Sequence, residues 1–359
     1  MLKEFIRQKT ADILPLHLRS RLYSLLVPGW KRKRRDLLKW LEHVNDQRLF
    51  CGESNSSAEL FKKFVYVIHL EISSFCNRAC SYCPNYFLHS TRKQKTELPK
   101  NLFLQCLEDL KSIHYDKFIE FNGFNEPLYD RTLFLKRAKQ VKTFLPESSI
   151  VINTNGDYLD EKYFYEISES GIDFLCITSH LTENECLKSE AERQKKASKF
   201  FEKFAHVNFT PEKNWWTAQI GGMKVFFQLS TYNETGHNWG SSIGDISLKR
   251  TEPCFVPAKH VYVDYRGRVN LCCSVNMDCN GTDDFCAGQI GDKRLFDIYD
   301  GKKAAKIRHA LLNMRDVPQC CRYCTAQRNY IHNSHYIDIP YDFILKNDET
   351  ATTQRVKDE

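Results

Sequence analysis

Residues 71–85, Glu-Ile-Ser-Ser-Phe-Cys-Asn-Arg-Ala-Cys-Ser-Tyr-Cys-Pro-Asn, decide the fold. Cys76, Cys80 and Cys83 stand at C-x3-C-x2-C spacing directly after residues 64–72, whose alternation reads as a β-strand. Three thiolates on a short loop at the C-terminal end of a strand can hold three irons of a four-iron cluster, which leaves the fourth iron without a protein ligand. An open iron can coordinate a substrate or cofactor directly and pass it an electron. A structural zinc site is the other reading, although such sites usually pair two C-x2-C knuckles. Spacing alone leaves both open.

The downstream residues extend the pattern. Tyr82 directly precedes the last of the three cysteines. Strand-like residues 117–121 lead into Gly123-Phe124-Asn125-Glu126-Pro127-Leu128, residues 150–153 form a third strand ending in Thr154-Asn155-Gly156, and residues 172–178 a fourth ending at Ser179. Together these motifs resemble the radical S-adenosylmethionine superfamily, whose Gly-Gly-Glu-Pro motif is matched with asparagine at the second glycine. The resemblance covers roughly residues 64–230.

The resemblance implies that Cys76, Cys80 and Cys83 carry a [4Fe-4S] cluster whose open iron binds S-adenosyl-L-methionine. It implies that Glu126 accepts a hydrogen bond from the cofactor's amino group, with Tyr82, Gly123, Asn125, Pro127, Asn153, Asn155 and Ser179 completing the cofactor pocket. It further implies reductive cleavage of the cofactor to a 5′-deoxyadenosyl radical, hydrogen abstraction from an unactivated C–H bond, and a reductant such as flavodoxin or ferredoxin. Read from the residues alone, Glu126 equally suits a helix N-terminus with Pro127 in the first turn. Asn153, Asn155 and Ser179 equally suit turns or caps. His180 is a candidate catalytic acid or base near neutral pH, or a polar rim residue. Cys176, three residues before Ser179, is expected to point away from the barrel interior into the core.

Strand and helix alternate from residue 64 onward, with helices expected over residues 99–113, 130–144, 160–169 and 182–204. A fifth strand is expected at 223–230 and a sixth between 241 and 248. Such repetition builds a parallel sheet with its chemistry on the loops at the C-terminal strand ends. The fold class is therefore α/β, and the resemblance makes it a partial (β/α)6 radical SAM barrel with one open side.

The last third changes character. Cys254, a β-hairpin over residues 260–272 turning at Gly267, a helix over 295–312, and the knuckle Cys321–Cys324 bring four thiolates together. Cys254-x12-Gly267-x4-Cys272, the Gly288-Gln289-Ile290-Gly291 stretch and the knuckle resemble the SPASM domain, or its one-cluster twitch form. No cysteine follows Cys324, which favours twitch and implies one auxiliary [4Fe-4S] cluster held by Cys254, Cys272, Cys321 and Cys324 in a small α+β domain. Cys273, Cys279, Cys286 and Cys320 remain as buried thiols or hydrogen-atom donors, and Cys273 or Cys320 can replace a neighbouring ligand. The expected division is an N-terminal helical extension and linker at 1–60, the barrel at 61–248, the cluster domain at 249–335 and a tail at 336–359.

Composition bounds the rest. A chain of 359 residues, 42% hydrophobic and 27% charged, can build a sizeable globular core. The formal charge of +7 equals the surplus of Lys and Arg within residues 1–50, so the body is balanced and is no general polyanion binder. In that segment Lys31-Arg32-Lys33-Arg34-Arg35 opens a helix with Leu37, Trp40, Leu41 and Val44 on one face, suited to packing on the barrel, to peripheral membrane contact or to an acidic partner. No run reaches the ~18 apolar residues of a membrane span, and no signal-peptide pattern opens the chain, so a cytoplasmic location with reduced thiols is expected.

Residues 1–60 are too short for a peptide-leader-binding domain, which favours a saccharide, aminocyclitol or other small-molecule substrate over a peptide. Trp215, Trp216 and Trp239, with Tyr232 and Asn233, suit either a sugar-stacking wall or a domain junction. The auxiliary cluster favours net oxidation; an epimerase, a peptide maturase and a zinc-binding adaptor with a nucleic-acid-binding arm are the alternatives.

Overall fold

The computed structural model describes residues 46–92, 95–180, 189–204, 206–212, 215–230, 238–243, 249–250 and 254–325. The basic helix expected near residues 31–44 and the tail at 336–359 lie outside the described residues, as do Tyr232 and Asn233.

One ten-stranded sheet runs through the molecule. Its centre is six parallel strands in the order β8-β1-β2-β3-β4-β7, comprising β1 (Val67–Leu70), β2 (Phe118–Glu120), β3 (Ser149–Thr154), β4 (Phe174–His180), β7 (Met223–Ser230) and β8 (His260–Val263). Antiparallel strands extend both edges, with β6 (Trp216–Ile220) and β5 (Thr210–Pro211) beyond β7, and β9 (Arg268–Asn270) and β10 (Gly288–Gln289) beyond β8. Strand alternation sorts the side chains into two sets. Ile68, Leu70, Ile119, Ile152, Leu175, Ile177, Val225 and Phe227 join the main core under the helices. Val67, Phe118, Val151, Phe174, Cys176 and Phe226 form a smaller apolar floor on the inner face.

Three of the helices open at a capping side chain. Asp130 and Asp160 accept hydrogen bonds from Leu133 N and Tyr163 N at 2.9 and 2.6 Å, opening Arg131–Phe144 and Glu161–Glu169. Ser189 does the same for Glu190–Phe201 through Glu192 N. The first crossover helix is Lys100–Ser112, with Cys106, Leu107 and Leu110 buried.

Five features differ from the sequence-based expectation. The sixth parallel strand is β8, paired to β1 from Val67↔His260 to Leu70↔Val263, whereas residues 238–243 form no strand and 244–248 lie outside the described residues. The sheet therefore runs across residue 249, because β8 gives the β1 edge a partner that no neighbouring segment supplies. The helix expected over 295–312 is broken into Leu295–Tyr299 and Lys302–Asn313. At the break the Asp300 carboxylate accepts hydrogen bonds from the amide and hydroxyl of Ser54 at 2.7 and 2.6 Å, and buried Arg308 donates to the carbonyls of Tyr299 and Leu49 at 2.8 and 2.7 Å. Those contacts also anchor the end of the extension and linker expected at 1–60, where Leu49 and Leu60 are core residues, as is the adjoining Phe61. Cys176 is buried as expected but on the inner face, near enough to Glu120 for that carboxylate to help hold its thiol protonated behind the larger effect of burial. Trp216, offered as a sugar wall, is 4% exposed and packs against Phe201 and Phe227, because its register with Phe227 places it on the helix side.

Candidate functional site

The cysteine loop leaves the C-terminal end of β1 and is held from several sides. Glu71 is buried and accepts a hydrogen bond from Phe124 N at 3.0 Å, while Phe75 O accepts from Glu126 N at 2.8 Å and Asn85 Nδ2 donates to Phe124 O. Arg78 grips Asp157 through two hydrogen bonds of 2.7 and 2.5 Å, and Asn77 reaches the same carboxylate and Asn155. The loop carrying Cys76, Cys80 and Cys83 is thus clamped to the loops after β2 and β3. Burial pushes the Cys76 thiol up to about 12, with Glu126, Cys83 and Cys80 adding to the rise. Burial raises the Cys80 thiol as well, and a cationic iron core beside this loop makes thiolate the favoured form.

Glu126 faces this loop from the 3₁₀ turn Pro127–Tyr129, whose N-cap it provides. Its carboxylate is 2% exposed and accepts from Thr154 Oγ1 at 2.6 Å, Asn155 N at 2.8 Å and Leu128 N at 3.1 Å. Those three donors are neutral, and burial pushes the acid up to about 7 against them. A buried carboxylate with neutral partners suits a cationic ligand. Gly123 packs so closely on Tyr262 that an added Cβ would meet its ring at 2.3 Å, and Asn125 ties its own loop by accepting from Gly123 N and donating to Phe121 O.

The Tyr82 hydroxyl lies 2.5 Å from His180 Nδ1. Burial and the nearby Arg78 guanidinium push His180 down to about 4, so it is a neutral partner of Tyr82 at pH 7 rather than a group titrating near neutrality. Ser179 is in register with Leu229 on the helix side, and it is Thr178 that meets the adjacent β7 side chain, accepting from Gln228 Nε2 at 3.0 Å. Asn153 donates to Glu120 Oε2 at 3.1 Å, and Asn122 donates to the same oxygen at 3.0 Å. Glu120 Oε2 also lies 3.3 Å from His69 Nδ1. This polar group on the inner face is built from His69, Glu120, Asn122 and Asn153, of which only Asn153 was among the sequence-based candidates. Its signal was present in the alternation of Val67-x-His69-x-Glu71 and Phe118-x-Glu120-x-Asn122, where polar residues share a face with apolar ones in otherwise apolar strands.

The second cysteine group is assembled from distant segments. Cys254 N bonds to Leu311 O, Cys272 N to Asn270 Oδ1, and Cys324 N to Cys321 O. The Cys254, Cys272, Cys321 and Cys324 thiols lie within one another's electrostatic reach; burial pushes Cys254 and Cys272 up, and a contact from Cys320 with burial does so for Cys321. Buried Arg250 lies beside three of them, Cys254, Cys321 and Cys324, and donates to Cys321 O at 3.2 Å. Four convergent thiols with an adjacent guanidinium suit an anionic iron–sulfur cluster. Cys272 faces this group while Cys273 faces His69 and His260, as alternation at the end of a strand requires. Cys320 contacts Cys321 Sγ at 3.8 Å, and Cys286 Sγ lies against Gly288 O. Trp239, the third of the suggested aromatic wall, joins the two cysteine groups instead. Its Nε1 donates to Tyr82 O at 2.7 Å while Ser241, two residues on, donates to Cys320 O and accepts from Tyr323 N.

A parallel half-barrel with three cysteines after its first strand, followed by a four-cysteine domain, defines a class of iron–sulfur enzyme. The chain is a radical SAM superfamily member with a C-terminal iron–sulfur cluster-binding domain: the Radical SAM family model matches residues 70–208 and the SPASM model residues 254–325. It accordingly works with a [4Fe-4S] cluster, S-adenosyl-L-methionine and auxiliary iron–sulfur chemistry as an oxidoreductase-type enzyme. Among curated proteins it is 26% identical over 286 residues to the S-adenosyl-L-methionine-dependent 2-deoxy-scyllo-inosamine dehydrogenase of Niallia circulans, an alignment covering 79% of this chain and 99% of that one. It is 29% identical over 109 residues to the tungsten-containing aldehyde ferredoxin oxidoreductase cofactor-modifying protein of Pyrococcus furiosus, covering 30% of this chain and 29% of that one. Among solved structures, BtrN in complex with AdoMet and 2-DOIA shares the fold with a TM-score of 0.54 and 24% identity over 73% of this chain and 93% of that one. Among the described residues no helix is long and apolar enough to cross a membrane.

Proposed function

We propose that the enzyme dehydrogenates a small hydroxyl-bearing ring, with an aminocyclitol as the leading substrate class. The observation that carries this reading is the likeness to 2-deoxy-scyllo-inosamine dehydrogenase, which extends over nearly the whole of that relative. The inner face supports it. Glu120, Asn122 and Asn153 offer hydrogen-bonding groups above an apolar floor, the combination that a polyhydroxylated ring requires.

In this reading Cys76, Cys80 and Cys83 hold the primary cluster, and Cys254, Cys272, Cys321 and Cys324 the auxiliary one. Bound there, cluster and S-adenosyl-L-methionine supply the one-electron chemistry that removes a hydrogen atom from an unactivated carbon, and the auxiliary cluster supplies an acceptor for the remaining electron. The chain's own residues do the positioning. Glu126 receives the cofactor's ammonium group, Asn155 and Arg78 fix the loop beside it, and the buried floor keeps water from the reacting carbon. A flavodoxin or ferredoxin is the proposed reductant.

The test is anaerobic turnover of the cluster-loaded enzyme in deuterated water with a panel of aminocyclitols that includes 2-deoxy-scyllo-inosamine. The expected product is two hydrogens lighter than its substrate and carries no deuterium on carbon. A product of unchanged composition carrying one solvent deuterium would make the enzyme an epimerase and overturn the reading.

A further inference from the structure

Outside the two cysteine groups, three side chains from different strands converge on one point. His69 lies on β1, His260 opens β8, and Cys273 follows β9, and one ligand atom from each lies within 4.8 Å of the others. His69 Nε2 and His260 Nδ1 are 3.3 Å apart, with their rings inclined by 25°. Two imidazole nitrogens on a tetrahedral cation, each bonded at about 2.0–2.1 Å, stand about 3.3 Å apart. The nitrogens thus already span one edge of a tetrahedral site.

The other nitrogen of His69 strengthens the case. Nδ1 is buried without a well-directed hydrogen bond and lies 3.3 Å from Glu120 Oε2, an oxygen that Asn122 and Asn153 also orient. A carboxylate behind the ring nitrogen that faces away from the cation is the arrangement that fixes the tautomer of a metal-bound histidine and raises its basicity. Two nitrogens and a thiolate are a donor set for a borderline cation of the zinc class, not for the oxygen-seeking calcium or magnesium. Three protein ligands also leave a fourth position for an oxygen or nitrogen donor.

We propose that His69, His260 and Cys273 form a mononuclear site for a zinc-class divalent cation, separate from both iron–sulfur clusters and open at its fourth position. Such a site also ties β1 to β8 and to the segment after β9, because its ligands come from both sides of residue 249.

The test uses the full chain, produced with iron and zinc, purified without oxygen, loaded with both clusters and dialysed against a chelator. The expected result is about one zinc per chain, with a zinc-edge X-ray absorption spectrum of a single sulfur near 2.3 Å and nitrogen or oxygen ligands near 2.0 Å. His260→Gln and Cys273→Ser should each lower zinc affinity at least ~10-fold at unchanged iron content. Zinc that washes out of the wild type, a four-sulfur spectrum from zinc seated in a cysteine cage, or zinc retention equal to wild type in both variants would overturn the proposal. The wild-type spectrum decides even where a variant loses its clusters.

Discussion

Glu126→Gln probes the cofactor pocket most directly. The carboxylate is buried among neutral donors, and its pKa rises from the ordinary 4.5 to about 7. At about 1.4 kcal/mol per unit, the folded protein therefore spends ~3 kcal/mol to keep it ionised at high pH without a cation beside it. The sign follows from proton binding: between pH 4.5 and 7 the folded state holds a proton that the unfolded state has released, so this contribution weakens stability as pH rises through that window. Glutamine removes the dependence, but its amide nitrogen faces Asn155 N–H, a donor against a donor, which costs about 1–3 kcal/mol. The two effects largely offset above pH 7, so stability there should change little.

Cofactor affinity should change much more. A charge-assisted hydrogen bond to an ammonium group contributes roughly 1.5–3 kcal/mol, so the variant should bind S-adenosyl-L-methionine about 10- to 100-fold more weakly. In the wild type, affinity should also fall as pH drops below about 7, up to tenfold per unit, as the carboxylate takes up its proton. In the variant that slope should vanish. Equilibrium dialysis of cluster-loaded protein between pH 6 and 8.5 measures both, with iron content as the control. An unchanged Kd, or the same pH slope in both proteins, would refute the role given to Glu126.

Three further outcomes are expected. Alanine at Cys76, Cys80 and Cys83 together should abolish 5′-deoxyadenosine formation while the C-terminal iron remains, measured by product chromatography and iron analysis. Cys321→Ala with Cys324→Ala should still cleave the cofactor but yield little oxidised product, so the ratio of ketone to 5′-deoxyadenosine should collapse. Gly123→Ala forces a methyl group into the Tyr262 ring, 2.3 Å from the built Cβ, and should cost about 1–3 kcal/mol in denaturant unfolding; a loss below ~0.5 kcal/mol would show that the loop relaxes freely.

Much of the chemistry was legible in the sequence by itself because it is local. Cys76, Cys80 and Cys83 occupy one short loop, Glu126 and Pro127 one turn, and Asp130 and Asp160 cap the helices they precede, so near-neighbour spacing carries the information. Tertiary structure decided whatever depends on partners far along the chain. Nothing near residue 260 announces that β8 will pair in parallel with β1, a contact between segments some 190 residues apart that only burial of a shared sheet rewards. Ser54, 246 residues away in the chain, holds Asp300 at the helix break. Cys272 and Cys273 are chemically identical neighbours, and one joins a cage of thiols while the other faces two histidines because the end of β9 turns them to opposite sides. The polar inner face arises in the same way, since His69, Glu120 and Asn153 meet only when three separate strands lie side by side.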